Sequence, residues 1–184
     1  MFPMGALYRD SPFFVMREKL LDRIWHEMKQ SSTNFFYAEL LLDKQKSDCI
    51  IYKAVITLVV SGVTWYLSNE EYFGLGAGFV TYLLSDTKWL RPFFLKEPEE
   101  IEKIRGLCTD YRIYFNRLQN IFDKYSAGLI SDNKAEVAYT EAFETNAANQ
   151  TDISIAFGKI NQKLNRKAAL KSDEYLSKIY FGQK

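Results

Sequence analysis

The spacing of apolar positions divides the chain into helical segments. From Val15, "VMREKLLDRIWHEMKQ" places Met16, Leu20, Leu21, Ile24 and Met28 at steps of about three and four, the signature of a helix with one apolar face. Residues 1–14, which include Pro3, Gly5 and Pro12, read as irregular. "SSTN" at 31–34 reads as a break whose polar side chains can cap the next helix. That helix is expected from about Asn34 to about Leu67, followed by a polar turn, "SNEE", at 68–71. A further helix runs from about Glu71 to Arg91-Pro92, because proline disfavours helical backbone in the residue before it.

"KEPEE" at 96–100 is a helix start, with Pro98 in the first turn and carboxylates near the positive end of the dipole. The helix it opens carries Ile101, Ile104, Leu107/Cys108, Tyr111, Tyr114/Phe115, Leu118 and Ile121/Phe122, the stripe of a bundle or coiled coil. Gly128 closes it, and Ser131 or Asp132 can cap the next helix. The last segment, from Lys134 to about Lys171, has sparser apolar positions at Val137, Phe143, Ile153, Ile155, Phe157, Ile160 and Leu164. "NAANQTD" at 146–152 reads as its weak point, and "SDEYLSKIYF" as a short final helix. No strand pattern and no repeat stands out, so the expected fold class is all-α.

The stretch from Tyr52 to Leu84 changes the picture, because after Lys53 its only charges are Glu70 and Glu71. Cys49–Leu67 spans roughly 28 Å at ~1.5 Å per residue, close to a ~30 Å hydrocarbon core. The second arm reaches that length only by including Asp86 and Lys88. Three features favour a transmembrane hairpin over the buried core of a helical bundle. Lys44, Lys46 and Lys53 precede it and Lys88, Arg91 and Lys96 follow it, while the turn is acidic; this places the turn outside and both termini in the cytoplasm. Trp65, Tyr66, Tyr72 and Phe73 flank the turn, with Tyr52 and Trp89 at the other end, as two interfacial belts. A hairpin turning between Asn69 and Glu70 also brings Lys53 and Asp86 to one depth, as an inner-interface charge pair. The expected layout is an N-terminal cytosolic helical region (1–47), the hairpin (48–91) and a C-terminal cytosolic helical region (92–184). The cytosolic helices would pack as an elongated bundle, and the protein would be a multi-pass protein of the inner membrane.

Composition narrows the function. The 184 residues carry a net charge of +1, which gives no global bias toward nucleic acid, and no direct nucleic-acid binding is expected. Mean hydropathy is −0.24, so any membrane part is a minority of the chain. Cys49 and Cys108 have neither zinc-type spacing nor a CxxC arrangement, which suits a reduced intracellular setting. The first residues lack the basic region and long apolar run of a cleavable signal, so the hairpin would direct its own insertion.

Candidate chemistry is sparse. Gly74 and Gly78 form a GxxxG that would let helices approach closely, against Ser61 and Gly62 or against another subunit; the bland alternative is a glycine-rich helix start. "LGAG" lacks the GK[ST] ending of a phosphate loop. His26 is the only histidine, so no multi-histidine metal site can form, and beside Trp25 it reads as structural. Glu97, Glu99, Glu100 and Glu102 read as dipole partners of a helix start, leaving no catalytic group and no expected cofactor. Lys159, Lys163, Arg166, Lys167 and Lys171 form a basic run that could meet lipid headgroups or an anionic ligand such as a nucleotide; the bland alternatives are head-to-tail pairing with the acidic run at 132–152 between subunits, or a solvated face.

The layout as a whole resembles the SLATT family. The resemblance rests on a helical region ahead of "FFYAELLLDKQKSDCIIYKAVITLVVSGVTWYLSN", a tight second arm, and the long "YRIYFNRL" helix with a helical tail, over roughly Val15 to Leu170. It implies a non-enzymatic two-transmembrane effector of bacterial antiviral or conflict defence. Such a protein self-associates when a nucleotide-signal-producing partner enzyme is triggered, and it permeabilises or depolarises the inner membrane, causing growth arrest or death. No catalytic residues follow from the resemblance. The alternatives are a non-catalytic membrane adaptor and a soluble all-α protein-interaction module.

Overall fold

The computed structural model describes residues 12–68, 95–157 and 160–182, with side chains over 17–62, 95–147 and 160–182. Among the described residues there are four helices and no strand: α1 (Pro12–Ser68), α2 (Pro98–Ser126), α3 (Asp132–Phe157) and α4 (Gln162–Tyr180). The all-α expectation therefore holds for this part of the chain. The chain divides into two compact units, one of Met1–Leu40 with Lys103–Lys184 and one of Leu41–Glu102.

The core of the first unit forms where the α1 and α2 stripes meet. Leu20, Ile24 and Met28 of α1 pack with Tyr114, Phe115, Leu118, Ile121 and Tyr125 of α2. Helical spacing predicts all of these except Tyr125, which lies beyond the end of the expected stripe. Helix α3 adds Ala135, Tyr139 and Ala142, and α4 adds Leu176. In α4 the buried positions Ala168, Ser172 and Leu176 recur every four residues. The small side chains at 168 and 172 let the helix come close enough to α1 for the Ser172 hydroxyl to donate to the Lys29 carbonyl at 3.3 Å.

The reading of "SSTN" as a break is corrected: α1 runs through residues 31–34 as continuous helix. Ser31 and Ser32 face inward at 2% exposure each, and the Ser31 hydroxyl donates to the Tyr111 carbonyl at 3.0 Å. These serines are contact residues between helices, not caps. The "NAANQTD" break is also corrected, since α3 runs through it to Phe157. The buried face of α3 was misjudged as well. Val137 is exposed, whereas Ala135, Tyr139, Ala142 and Asn146 are buried at steps of four, three and four.

Helix ends are closed by partners both near and far in sequence. Helix α2 has Glu99 and Glu100 in its first turn, as the "KEPEE" pattern predicts. Gly128, with φ 72°, supplies the left-handed turn after α2. Asn161 caps α4, its side-chain oxygen accepting from the backbone N–H groups of Lys163 and Leu164. The Asn161 N–H itself donates to the Tyr37 hydroxyl at 3.0 Å. The guanidinium of Arg17 donates to the carbonyls of Tyr125 (2.8 Å) and Ser126 (3.3 Å) at the end of α2 and also lies over the Tyr125 ring.

In the second unit, α1 carries apolar residues with little cover, including Ile50, Ile51, Val55, Leu58 and Val59. At the start of α2, Lys96 pairs with Glu100 at 3.2 Å.

The expectation of a multi-pass inner-membrane protein is corrected. Among the described residues no helix is long and apolar enough to cross a membrane. The described part of the first arm begins its apolar run at Cys49, directly after Asp43, Lys44, Lys46 and Asp48, and carries Lys53 within it. The second arm, with Gly74, Gly78 and Asp86, lies outside the described residues.

Candidate functional site

Within the first unit, tyrosine side chains join helix to helix through carboxylates. The Tyr114 hydroxyl donates to Glu27 of α1 at 3.2 Å, Tyr125 to Asp132 of α3 at 3.0 Å, and Tyr180 of α4 to Asp123 of α2 at 3.1 Å. Burial pushes Tyr125 up to about 12, and the Asp132 carboxylate adds to the shift while Arg17 opposes it. Tyr114 and Tyr180 move further in the same direction, each by burial first and then by the carboxylate it meets. Tyr111 is pushed up to about 12 by burial; its hydroxyl lacks a well-formed hydrogen bond, although the nearby Asn34 side chain partly offsets the shift. Each of these tyrosines keeps its proton at neutral pH, and the three paired with carboxylates tie α2 to α1, α3 and α4.

Burial raises the Cys108 thiol, the Glu39 carboxylate raises it further and Arg112 opposes both, which keeps it in the unreactive protonated form. Among the described residues no group of three or more His, Cys, Asp or Glu side chains is placed to hold a metal ion.

The residues singled out from sequence fall in different places. Lys163, Arg166 and Lys167 are exposed on α4, and Lys159 lies outside the described residues. Lys171 is engaged with α1: its ammonium is 3.8 Å from the Glu39 carboxylate and 5.9 Å from the Phe36 ring centroid. Lys29 pairs with Asp173 in the same helix pairing, at 2.8 Å. On α1 of the second unit, Lys53, Ser61 and Gly62 are exposed, and a Cβ added at Gly62 would meet nothing within 4 Å.

The sequence places Ser61 and Gly62 on a helix-association face, but the aliphatic strip that leads to them was not singled out. Ile51, Val55 and Leu58 follow one another at steps of four and three, and Gly62 continues the line. Ile50 and Val59 flank it, while Tyr52, Ile56 and Val60 on the other side of the helix are half-buried. Leu58 is 74% exposed and Ile50 68%. The signal was present in the helical spacing, but it was absorbed into an apolar run read as a membrane span. Geometrically it is a strip of aliphatic side chains with a small-residue end, the shape that a second helix packs against.

Comparison of the chain with protein-family models, with curated proteins and with solved structures finds no match. Fold and surface define the class at the level of an all-α protein with an uncovered apolar helix face.

Proposed function

We propose that the chain is a non-catalytic helical interaction module that associates with a second copy of itself through the α1 face formed by Ile51, Val55 and Leu58. The observation that carries the reading is the exposure of these aliphatic side chains at helical spacing, with Ile50 and Val59 beside them. Covering Leu58 alone would contribute roughly 1.5–3 kcal/mol, so a symmetric helix pair that buries the strip from both copies gains several such terms. Ser61 and Gly62, at the end of the strip, leave room for close backbone approach. Pore formation, implied by the SLATT resemblance, is not part of this proposal because it requires the multi-pass arrangement.

The test is light scattering coupled to size-exclusion chromatography over a range of protein concentration, comparing wild type with Val55→Asp/Leu58→Asp. Wild type should give a concentration-dependent mass above that of one chain. The double variant should run as a monomer with unchanged helical circular dichroism. A wild type that stays monomeric throughout would overturn the proposal, as would a variant that associates equally well.

A further inference from the structure

Between α2 and α3, within the first unit, lies a cavity of about 190 Å³. It uses none of the residues of the α1 face, and the inference here does not rest on the proposed self-association. Helix α2 lines it with Asp110 and Arg117, seven residues apart, with Ile113 and Tyr114 between them. Residues at that spacing lie on one helix face about two turns apart, roughly 10 Å along the axis, too far for the two charges to pair directly. Among the described residues neither has an ion-pair partner. The Tyr114 hydroxyl is already committed to Glu27.

From α3 the cavity receives Asn146. Asn146 is only 5% exposed, and its side-chain Nδ2 is buried without a hydrogen-bond partner. Buried amides are nearly always satisfied, so a buried orphan donor in the wall of a cavity is a position where a bound acceptor would restore the missing bond. The last torsion of an asparagine is soft, so the amide can turn its N–H toward the cavity without disturbing the helix. Ala142, one turn earlier on the same face, is the small side chain that leaves the space open.

We infer that this cavity binds a small zwitterion, an α-amino acid or a similarly short amino-carboxylate, with its ammonium on Asp110 and its carboxylate on Arg117 and Asn146. The charges match in sign and number. Arg117 offers the forked donor geometry that suits a carboxylate, and the Asn146 N–H supplies a further donor. Ile113 and Ala142 form the apolar wall for a short aliphatic side chain. The size agrees: a cavity of about 150 Å³ holds benzene, so this one takes roughly seven to nine non-hydrogen atoms.

Thermal-shift and NMR titrations of the full chain with the individual α-amino acids decide it, alongside matched controls that lack one charge: the corresponding simple amines and simple carboxylic acids. At least one small amino acid should raise the melting temperature and shift the resonances of residues around 110–117 and 142–146, while its one-charge controls do not. Arg117→Gln, at an exposed position where folding is not at risk, and Asp110→Asn should each weaken that binding about tenfold or more. No response to any amino acid at millimolar concentration overturns the inference. So does binding that survives both substitutions, or equal binding of a one-charge control.

Discussion

The hydroxyl of Tyr125 donates to the carboxylate of Asp132 at 3.0 Å, tying the last turn of α2 to the first residue of α3 across the connecting loop. Tyr125 is 1% exposed, and its ring is at the same time covered by Arg17 of α1. Tyr125→Phe removes only the hydroxyl. It should lower stability by about 1–2 kcal/mol, while Tyr125→Ala, which also empties the core, should cost roughly 3–5 kcal/mol. Urea denaturation should show a lower midpoint with an unchanged slope for the phenylalanine variant. A midpoint equal to wild type would mean that the hydroxyl contributes nothing net.

The raised tyrosines set an alkaline limit on the fold. Unfolded tyrosine ionises near pH 10. Tyr111 and Tyr125 ionise only at about 12 in the folded protein, and Tyr114 and Tyr180 are raised further. Above pH 10 the unfolded chain therefore binds fewer protons than the folded one, and stability falls as pH rises from about 10 toward 12 and beyond. Below pH 10 these four groups add no pH dependence. Absorbance at the tyrosinate wavelength, followed with far-UV circular dichroism, should show one class of tyrosine titrating normally and a second class appearing only as helicity is lost. Normal ionisation of all 12 tyrosines with helicity intact would refute this.

Ser31 and Ser32 are equally buried neighbours with opposite hydrogen-bonding status. Ser31 donates to the Tyr111 carbonyl, whereas the Ser32 hydroxyl has no partner. Ser31→Ala should destabilise by about 0.5–1.5 kcal/mol. Ser32→Ala should be neutral or stabilising by up to about 1 kcal/mol, because it removes an unsatisfied polar atom. Calorimetric melting of the two variants side by side checks the difference. Equal destabilisation by both would contradict it.

The ion pairs of α4 with α1 should matter little. Lys29–Asp173 and Lys171–Glu39 join side chains that are about half exposed. Each is worth at most about 1 kcal/mol and should weaken with added salt. Lys171→Met removes the charge while keeping an unbranched side chain and should shift the melting temperature only slightly, whereas Leu176→Ala, at 2% exposure, should cost about 2–5 kcal/mol. A large loss in the lysine variant would show the pair to be stronger than its exposure allows.

What was legible in the chain was the part coded by large aliphatic and aromatic residues at helical spacing: the α1 face at Leu20, Ile24 and Met28, and the α2 stripe from Ile104 to Ile121. What was misread was coded by small or polar residues. Ser31 and Ser32 look like caps until the helix they pack against is known. Ala135 and Ala142 are too small to stand out among the sparse apolar positions of their segment, and Asn146 opens the stretch at 146–152 that reads as a weak point. The apolar run from Cys49 was seen, but length and flanking charge suggested a span where the described helix is not apolar enough to be one. The Asp110–Arg117–Asn146 cavity was beyond reach for a different reason, since it exists only where two helices face each other and no spacing within either one reveals it.

Arg17 closes the end of α2 from 108 residues away, and Tyr37 accepts from the start of α4 across 124. Contacts of such separation raise the contact order of the fold, which goes with slower folding. Without α1 the Ser126 carbonyl and the Asn161 N–H lose these partners, whereas the Tyr125 carbonyl still accepts from the Gly128 N–H at 3.0 Å. The start of α4 thus reports on the packing of α1: the Asn161 amide proton should be protected only when Tyr37 is in place, whereas Arg17, which donates to carbonyls, protects no amide proton at the end of α2. In this protein side chains of α1 complete the end of α2 and the start of α4, so neither end is encoded wholly within its own helix.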